Sequence, residues 1–449
     1  TNLFLHLLAC FLLYELLLQF TESRWEVFWA VLLFAVHPIH TETVSIIVSR
    51  NNILVTIFIL ASFYAYLLWW KKGMPFAWAA SLLAFTGAVF SKEFGILSVL
   101  IFFLYHRLLA NDKNLRREMV SYVPYLLILT IYFFLRKTVV LTHFSIPDDI
   151  LMRIAYIPYL LTYNLKLILL PYNLHSFSVR YPGSLLSPTV IGSYFIVLLI
   201  AVFLYSLRKQ KVVVFSAGAF FVTLLPVLNV IDKASVSLIA MRWLYLPMVF
   251  LIFGFFRLIG MINAKLKKSL KQIIVIVVVF YYAITSFTLN AYLWYDQETF
   301  LKQEVLHFAN ELYMGDYAEM MLKKKKYRDA EPFFQRSLNI PPILARNFIN
   351  YGALLIDTGR WQEALAVLER AQSLTMGYKD RIDWNNNMGA ALTLIGNYER
   401  AHGYFGAALS LAPQDVSLRR NLAYLLVREG RMEEANEQLK ISEQIKRTH

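Results

Sequence analysis

The sequence predicts an all-α protein in two parts, a polytopic transmembrane helix bundle followed by an α-solenoid of repeated helix pairs. Three observations predict it. The chain of 449 residues is 58% hydrophobic with a mean hydropathy of +0.50, well above a soluble average. Its charge is divided unevenly. Residues 1–293 hold 24 Lys and Arg against 10 Asp and Glu, the whole net charge of +14, and residues 294–449 hold 20 of each. Residues 310–446 repeat themselves at a period of about 34.

Apolar runs at residues 3–18, 25–36, 53–70, 76–90, 94–110, 120–135, 189–207, 212–230, 243–259 and 273–293 are read as about ten crossings. Lys and Arg gather in the short loops beside them. Placing Lys71 and Lys72 inside puts Arg24, Arg107, Arg116, Arg117, Arg208, Lys209, Lys211 and Arg257 inside as well. The loops at 37–52, 91–94, 136–149, 171–188 and 232–242 then fall outside, with everything after residue 293. This requires residues 150–170, interrupted by Arg153, Pro158, Asn164 and Lys166, to be re-entrant or interfacial. The chain begins at Thr1, inside an apolar run and without a Met, so the expectation is an N-terminally truncated fragment. Nucleic-acid binding is not expected, because the half without crossings carries no excess of positive charge. Cys10 is the single cysteine and admits no intrachain disulfide.

The expected domains are a membrane domain over 1–293, a linker helix over 294–309 and repeats over 310–449. In the repeats a small residue recurs at Ala330, Ala364, Ala401 and Ala435, preceded by Tyr327, Trp361, Tyr398 and Met432. First helices carry Ala318, Gly352, Gly389 and Ala423. The turns carry Gly359, Gly396 and Gly430, with Lys325 in that place in the first repeat, and Pro342 and Pro413 stand between repeats. This is the tetratricopeptide length and pattern. Such pairs stack because neither helix of a pair can bury its apolar face alone, and the stack presents a concave surface. Asn350, Asn386 and Asn421 on first helices are candidate contacts to the backbone of an acceptor protein or peptide.

Ionisable groups at membrane depth are costly, so they persist mainly beside a polar cavity or where chemistry needs them. Here they concentrate in HPIHTETVSIIVSRNN at residues 37–52, in Ser91-Lys92-Glu93-Phe94 and in Met241-Arg242-Trp243-Leu244-Tyr245. All fall on the outer face, which fits an enzyme cleft better than a pore lined along its crossings.

These stretches, with Ser91-Lys92-Glu93-Phe94-Gly95-Ile96, Leu169-Leu170-Pro171-Tyr172-Asn173-Leu174 and Arg242-Trp243-Leu244-Tyr245-Leu246-Pro247, carry a resemblance. The chain resembles the transmembrane and tetratricopeptide-repeat-containing O-mannosyltransferases and their prokaryotic relatives, a branch of the GT-C glycosyltransferases. The resemblance covers essentially the whole chain. It implies a GT-C-like bundle and a polyprenyl-phosphate-sugar donor, with transfer of mannose to protein Ser or Thr hydroxyls. Chemistry and repeats would lie on the non-cytoplasmic side. It also implies that the first crossing and the first external loop, with the main catalytic acid, lie upstream of Thr1. Met241 stands where relatives often carry an acid, which puts the orientation of Arg242 in doubt.

Such a transfer needs a carboxylate base and cationic donors for the departing phosphate. Glu42 and Glu93 are the candidate acids. Arg242, Lys92 and Arg50 are the candidate phosphate-side residues, with His37, His40, Tyr172 and Tyr245 as further substrate contacts. His175, Arg180 and Tyr181 could hold donor or acceptor, or be interfacial aromatics and their neighbours. Asp148 and Asp149 read better as a helix N-cap. No metal ligand is assigned, because Pro38 interrupts the His37–His40 pair and no third strong ligand is near, and the metal requirement is left open. Two other readings stand beside the enzyme: a membrane-anchored repeat scaffold for envelope assembly, and a glycan polymerase or ligase.

Overall fold

The structure is a computed structural model that describes residues 1–110, 114–139, 149–172, 174–175, 181–228, 238–262, 268–341 and 343–448. Asp148, Asn173, Arg180 and Pro342, named above, lie outside the described residues, as do parts of the loops at 136–149, 171–188 and 232–242. All regular structure among the described residues is helical, in two compact units, Thr1–Phe300 and Leu301–His449.

The first unit runs α1 (Asn2–Leu17), α2 (Arg24–Val36), α3 (Thr41–Ser45), α4 (Arg50–Lys72), α5 (Pro75–Ser91), α6 (Leu97–Leu108), α7 (Leu115–Val139), α8 (Ile150–Ala155), α9 (Ile157–Leu169), α10 (Pro188–Ser206), α11 (Lys211–Leu224), α12 (Tyr245–Ile262) and α13 (Lys268–Tyr292). The core lies around α4, which packs on α1 and α5, and around the α11–α12 pair. Phe34, Phe63, Phe85, Phe102, Tyr125 and Phe215 are fully buried there. Gly73, at φ 68°, ends α4 in a left-handed turn, and Pro75 opens α5 where a missing N–H costs nothing.

Among the described residues, five helices are long and apolar enough to cross a membrane, or six if the bent pair Arg24–Val36 and Pro38–Ser45 is one span. The sequence reading gave about ten runs. The difference has a local cause. The run at 94–110 opens with a 3-10 turn, Glu93–Ile96, which shortens its helix to 12 residues. Three other runs form helices that are apolar but short, Asn2–Leu17, Pro75–Ser91 and Lys211–Val227. Residues 150–170 form two helices meeting near Tyr156, ahead of Pro158. The longer has 13 residues, about 20 Å against a hydrocarbon core of about 30 Å. Asp149 occupies the N-cap position of α8 without capping it; its carboxylate accepts from Arg153 Nε at 2.7 Å instead.

Between α13 and the repeats, α14 (Gln297–Lys302) passes into a π-helical turn, Gln303–His307. The second unit is then four helix pairs: α15 (Met314–Lys323) with α16 (Tyr327–Ser337), α17 (Ala345–Asp357) with α18 (Trp361–Ala371), α19 (Tyr378–Leu394) with α20 (Tyr398–Leu411), and α21 (Val416–Arg428) with α22 (Met432–Thr448). Small residues set the close approach within pairs. A Cβ on Gly352 would meet Leu368, and one on Gly389 would meet Phe405. The turn residues Gly359, Gly396 and Gly430 lie at φ 80°, 85° and 83°, and Lys325 takes the same left-handed place at φ 56°.

Candidate functional site

Pro38 stops α2 and starts a 3-10 turn, Pro38–His40. The His37 ring holds that turn: Nδ1 accepts the Ile39 N–H at 3.2 Å, and Nε2 donates to the Ile168 carbonyl at 3.1 Å. Both partners together require the neutral Nε2–H tautomer. Thr41 Oγ1 donates to the Pro38 carbonyl at 2.8 Å, and α3 follows with Glu42 in the interior.

Glu42 is 2% exposed. Its carboxylate accepts the backbone N–H of Arg242 at 2.8 Å and also the Arg242 guanidinium. Arg242 lies in a 3-10 turn, Met241–Leu244, at the entrance to α12, and its side chain is 30% exposed. The two bonds from one carboxylate tie α3 to the start of α12, across 200 residues of sequence. They also mean that Glu42 answers a cation rather than standing free as a base.

Lys92 ends α5 in an extended conformation. Its ammonium donates to Asn52 Oδ1 at 2.6 Å and sits 4.1 Å from the Phe94 ring centroid. Burial pushes its pKa down to about 8; neighbouring Glu93 opposes the shift and nearby Arg242 adds to it. No carboxylate pairs with Lys92 among the described residues. Gly95 makes this turn possible, because a Cβ there would collide with the backbone of Ala88 and Val89. Arg50 opens α4 two residues before Asn52 and donates through Nε to Asn2 Oδ1 at 3.0 Å; Asn2 in turn donates to the Ile46 carbonyl at 3.1 Å.

Arg50, Lys92 and Arg242 therefore come from three elements at one end of the bundle, answered nearby by Glu42. Glu93 points elsewhere: it is 55% exposed and pairs with Arg136 at 4.0 Å. Tyr172 is exposed, near Lys166. Tyr181 packs on Tyr156 at 4.7 Å, and His175 is half-buried. Three expected substrate contacts are instead interior. Tyr245 is fully buried and its hydroxyl bonds His6 Nδ1 at 2.6 Å, while His6 Nε2 donates to the Ala35 carbonyl at 3.0 Å. His40 packs between Phe34 and Tyr245 at 4.4 and 4.6 Å. With His37, whose ring lies 6.0 Å from that of His40, they form a cluster of packed rings, because an imidazole or phenol ring supplies packing surface as well as a polar tip. Asn2, His6 and Asn52 were not among the candidates. A lone His in the apolar run 3–18 was the available signal for His6. Among the described residues, no group of three His, Cys, Asp or Glu is arranged to hold a metal ion.

In the repeats, Asn421 Nδ2 donates to Asn386 Oδ1 at 2.7 Å, and Asn350 Nδ2 to Glu319 Oε2 at 3.1 Å. Asn386 itself donates to Asn387, which donates to the Ile349 carbonyl at 3.2 Å. These amides join neighbouring first helices. Asp383, half-buried on α19, has its pKa raised by burial, with Lys379 opposing.

The fold and this site define a class: an α-helical bundle with apolar, span-length helices and a cation-rich end, followed by tetratricopeptide-type repeats. No protein-family model matches the chain. It is similar to the protein O-mannosyl-transferase Tmtc2 of Drosophila melanogaster, 32% identical over 106 residues, which is 22% of this chain. The matched stretch spans 11% of that relative. Similar solved structures include MamA of Desulfovibrio magneticus RS-1, at 18% identity and TM-score 0.29, covering 33% of this chain and 83% of that one. Yeast Tom70 is similar at 14% identity and TM-score 0.29, covering 97% and 92%.

Proposed function

We propose that the chain is a multi-pass membrane glycosyltransferase of GT-C type that takes a sugar from a polyprenyl-phosphate donor to protein hydroxyls. The observation that carries this reading is Lys92. It is a half-buried ammonium whose hydrogen-bond acceptor among the described residues is a neutral amide, near a second cation, Arg242. A partly desolvated cation that no carboxylate answers favours an anionic ligand. Arg242 and Lys92 suit a phosphate, one as a fork of donors and one as a point charge. Membrane embedding is supported by α10 and α13, apolar helices whose span windows are 11% and 0% buried; exposed apolar surface on that scale needs a cover, and lipid supplies it. Mannose, the serine or threonine acceptor and the non-cytoplasmic side come from the family resemblance and the partial likeness to Tmtc2. The repeats would recruit the acceptor, and the donor phosphate would settle against Lys92, Arg242 and Arg50 as the glycosidic bond breaks.

The scaffold reading keeps one observation in its favour: the repeats are a compact unit of their own. One experiment separates the two. The chain in lipid nanodiscs is titrated with polyprenyl-phosphate mannose, and transfer to a reconstituted hydroxyl peptide is followed in parallel. The enzyme reading expects donor binding that Lys92→Ala weakens about 10- to 100-fold, the worth of a charged hydrogen bond. Absence of donor binding, with protein partners still captured, would leave the scaffold.

A further inference from the structure

Two cations of the candidate site are held by neutral amides, Asn52 and Asn2, which are 5% and 7% exposed. Asn52 Oδ1 accepts from the Lys92 ammonium at 2.6 Å. Its Nδ2 donates to the Ser49 carbonyl at 3.3 Å and to Asn51 Oδ1 at 3.1 Å. Asn2 repeats the arrangement. Its Oδ1 accepts from Arg50 Nε at 3.0 Å, and its Nδ2 donates to the Ile46 carbonyl at 3.1 Å. The two carbonyls bound one 3-10 turn, Ile47–Ser49, with Ile46 at its N-cap and Ser49 at its end. Lys92 ends α5, Asn2 opens α1, and the turn leads into α4, so the amides join three helices at one point.

An amide suits this place for a stated reason. A cation only donates and a backbone carbonyl only accepts, so the side chain between them must accept at one end and donate at the other. A carboxylate would accept from the cation, leave the carbonyl unanswered and cancel the positive charge. Partly desolvated cations are ordinarily answered by a carboxylate, and Glu42 does this for Arg242. Among the described residues no carboxylate pairs with Lys92 or Arg50, and Glu93, next to Lys92 in sequence, pairs with Arg136. Both cations also keep donors in reserve. Lys92 spends one of its three N–H groups on Asn52, and Arg50 is held through Nε, which leaves its terminal Nη groups.

We propose that Asn52 and Asn2 are positioning residues for the lipid phosphate: they fix Lys92 and Arg50 in place while leaving both positive charges uncancelled for the anion. The amide oxygen sets the direction of each cation, and the amide nitrogen, anchored on the turn, keeps the oxygen from rotating away. The proposal rests on the donor reading above, and the test separates the two.

The full chain in phosphatidylcholine nanodiscs is titrated with farnesyl phosphate and, as an uncharged control, with farnesol. The native chain should prefer the phosphate. Asn52→Asp keeps the shape of the side chain and sets a carboxylate against Lys92. It should weaken farnesyl phosphate binding at least about tenfold, because a unit charge a few ångströms away is worth that much at an effective dielectric of about 20. Farnesol binding should be unchanged. Asn52→Ala removes the same hydrogen bonds without adding a charge. It should weaken phosphate binding less than Asn52→Asp while lowering the thermal midpoint more. Asn2→Asp should act in the same way through Arg50, and it keeps the test sound should a change at Asn52 disturb folding. A role in folding alone predicts the other order. Phosphate binding by Asn52→Ala no tighter than by Asn52→Asp, or binding within about twofold of native in both aspartate variants, would overturn the positioning role while leaving the donor reading intact. A native chain that binds farnesol as tightly as farnesyl phosphate would overturn both.

Discussion

Lys92 and Arg242 are the residues on which the donor reading turns, and each has its own test. Burial holds Lys92 near pH 8, below its ordinary 10.5. The folded state therefore binds fewer protons than the unfolded state between those values, and Lys92 contributes stability that rises with pH across that window. Binding of an anion runs the other way. It should weaken as pH climbs through about 8, and in Lys92→Arg the decline should vanish because a guanidinium stays charged. Titrating a lipid-phosphate ligand at several pH values would show it; a flat profile in the native chain would remove Lys92 from the phosphate. At Arg242 the expectation concerns stability. Arg242→Ala leaves Glu42 buried without its countercharge and should cost about 3 kcal/mol, the low end for a buried pair because Arg242 is partly solvated. Glu42→Gln can still accept the Arg242 backbone N–H and should cost less. Thermal unfolding of the two variants in detergent would rank them.

Among elements, the turns carry the clearest test. Gly359, Gly396 and Gly430 sit in a left-handed conformation that glycine adopts freely, and Lys325 sits there with a side chain. Lys325→Gly should stabilise the first repeat by about 1 kcal/mol, and Gly396→Ala should destabilise the third by a similar amount. Amide hydrogen exchange on α15–α16 and α19–α20 would read both. A different constraint acts at Gly95, where the neighbouring backbone of α5 leaves no room for a Cβ. The turn that aims Lys92 at Asn52 depends on that contact, so Gly95→Val should abolish donor binding together with local order.

For the whole molecule the testable claim is orientation. The basic loops should face inside and the repeats outside. Cys10 is the only cysteine and is buried, so Cys10→Ala provides a clean background. In sealed vesicles of known sidedness, a membrane-impermeant thiol reagent should reach Ser410→Cys from the outside and Lys209→Cys from the inside only. Labelling of Ser410→Cys from the inside and Lys209→Cys from the outside would reverse the proposed side of chemistry, and labelling of both from one side would overturn the order of crossings between them.

The sequence by itself determined the all-α class and the register of the repeats. Each of these is written in local pattern: hydropathy over a span, and small residues and glycines returning every 34 or 37 positions. It also pointed to the polar patches that hold Arg50, Lys92 and Arg242. Only the tertiary structure decided what those residues meet. Glu42, read as a candidate base, is the partner of Arg242 because α3 meets a turn 200 residues away. His40 and Tyr245, read as substrate contacts, are buried against each other, and the repeat asparagines bond to neighbouring helices. Side-chain type announces that a polar group is present near an apolar segment. Whether it meets a ligand, a countercharge or a neighbouring ring depends on which distant helix packs against it, and that is a property of the folded bundle.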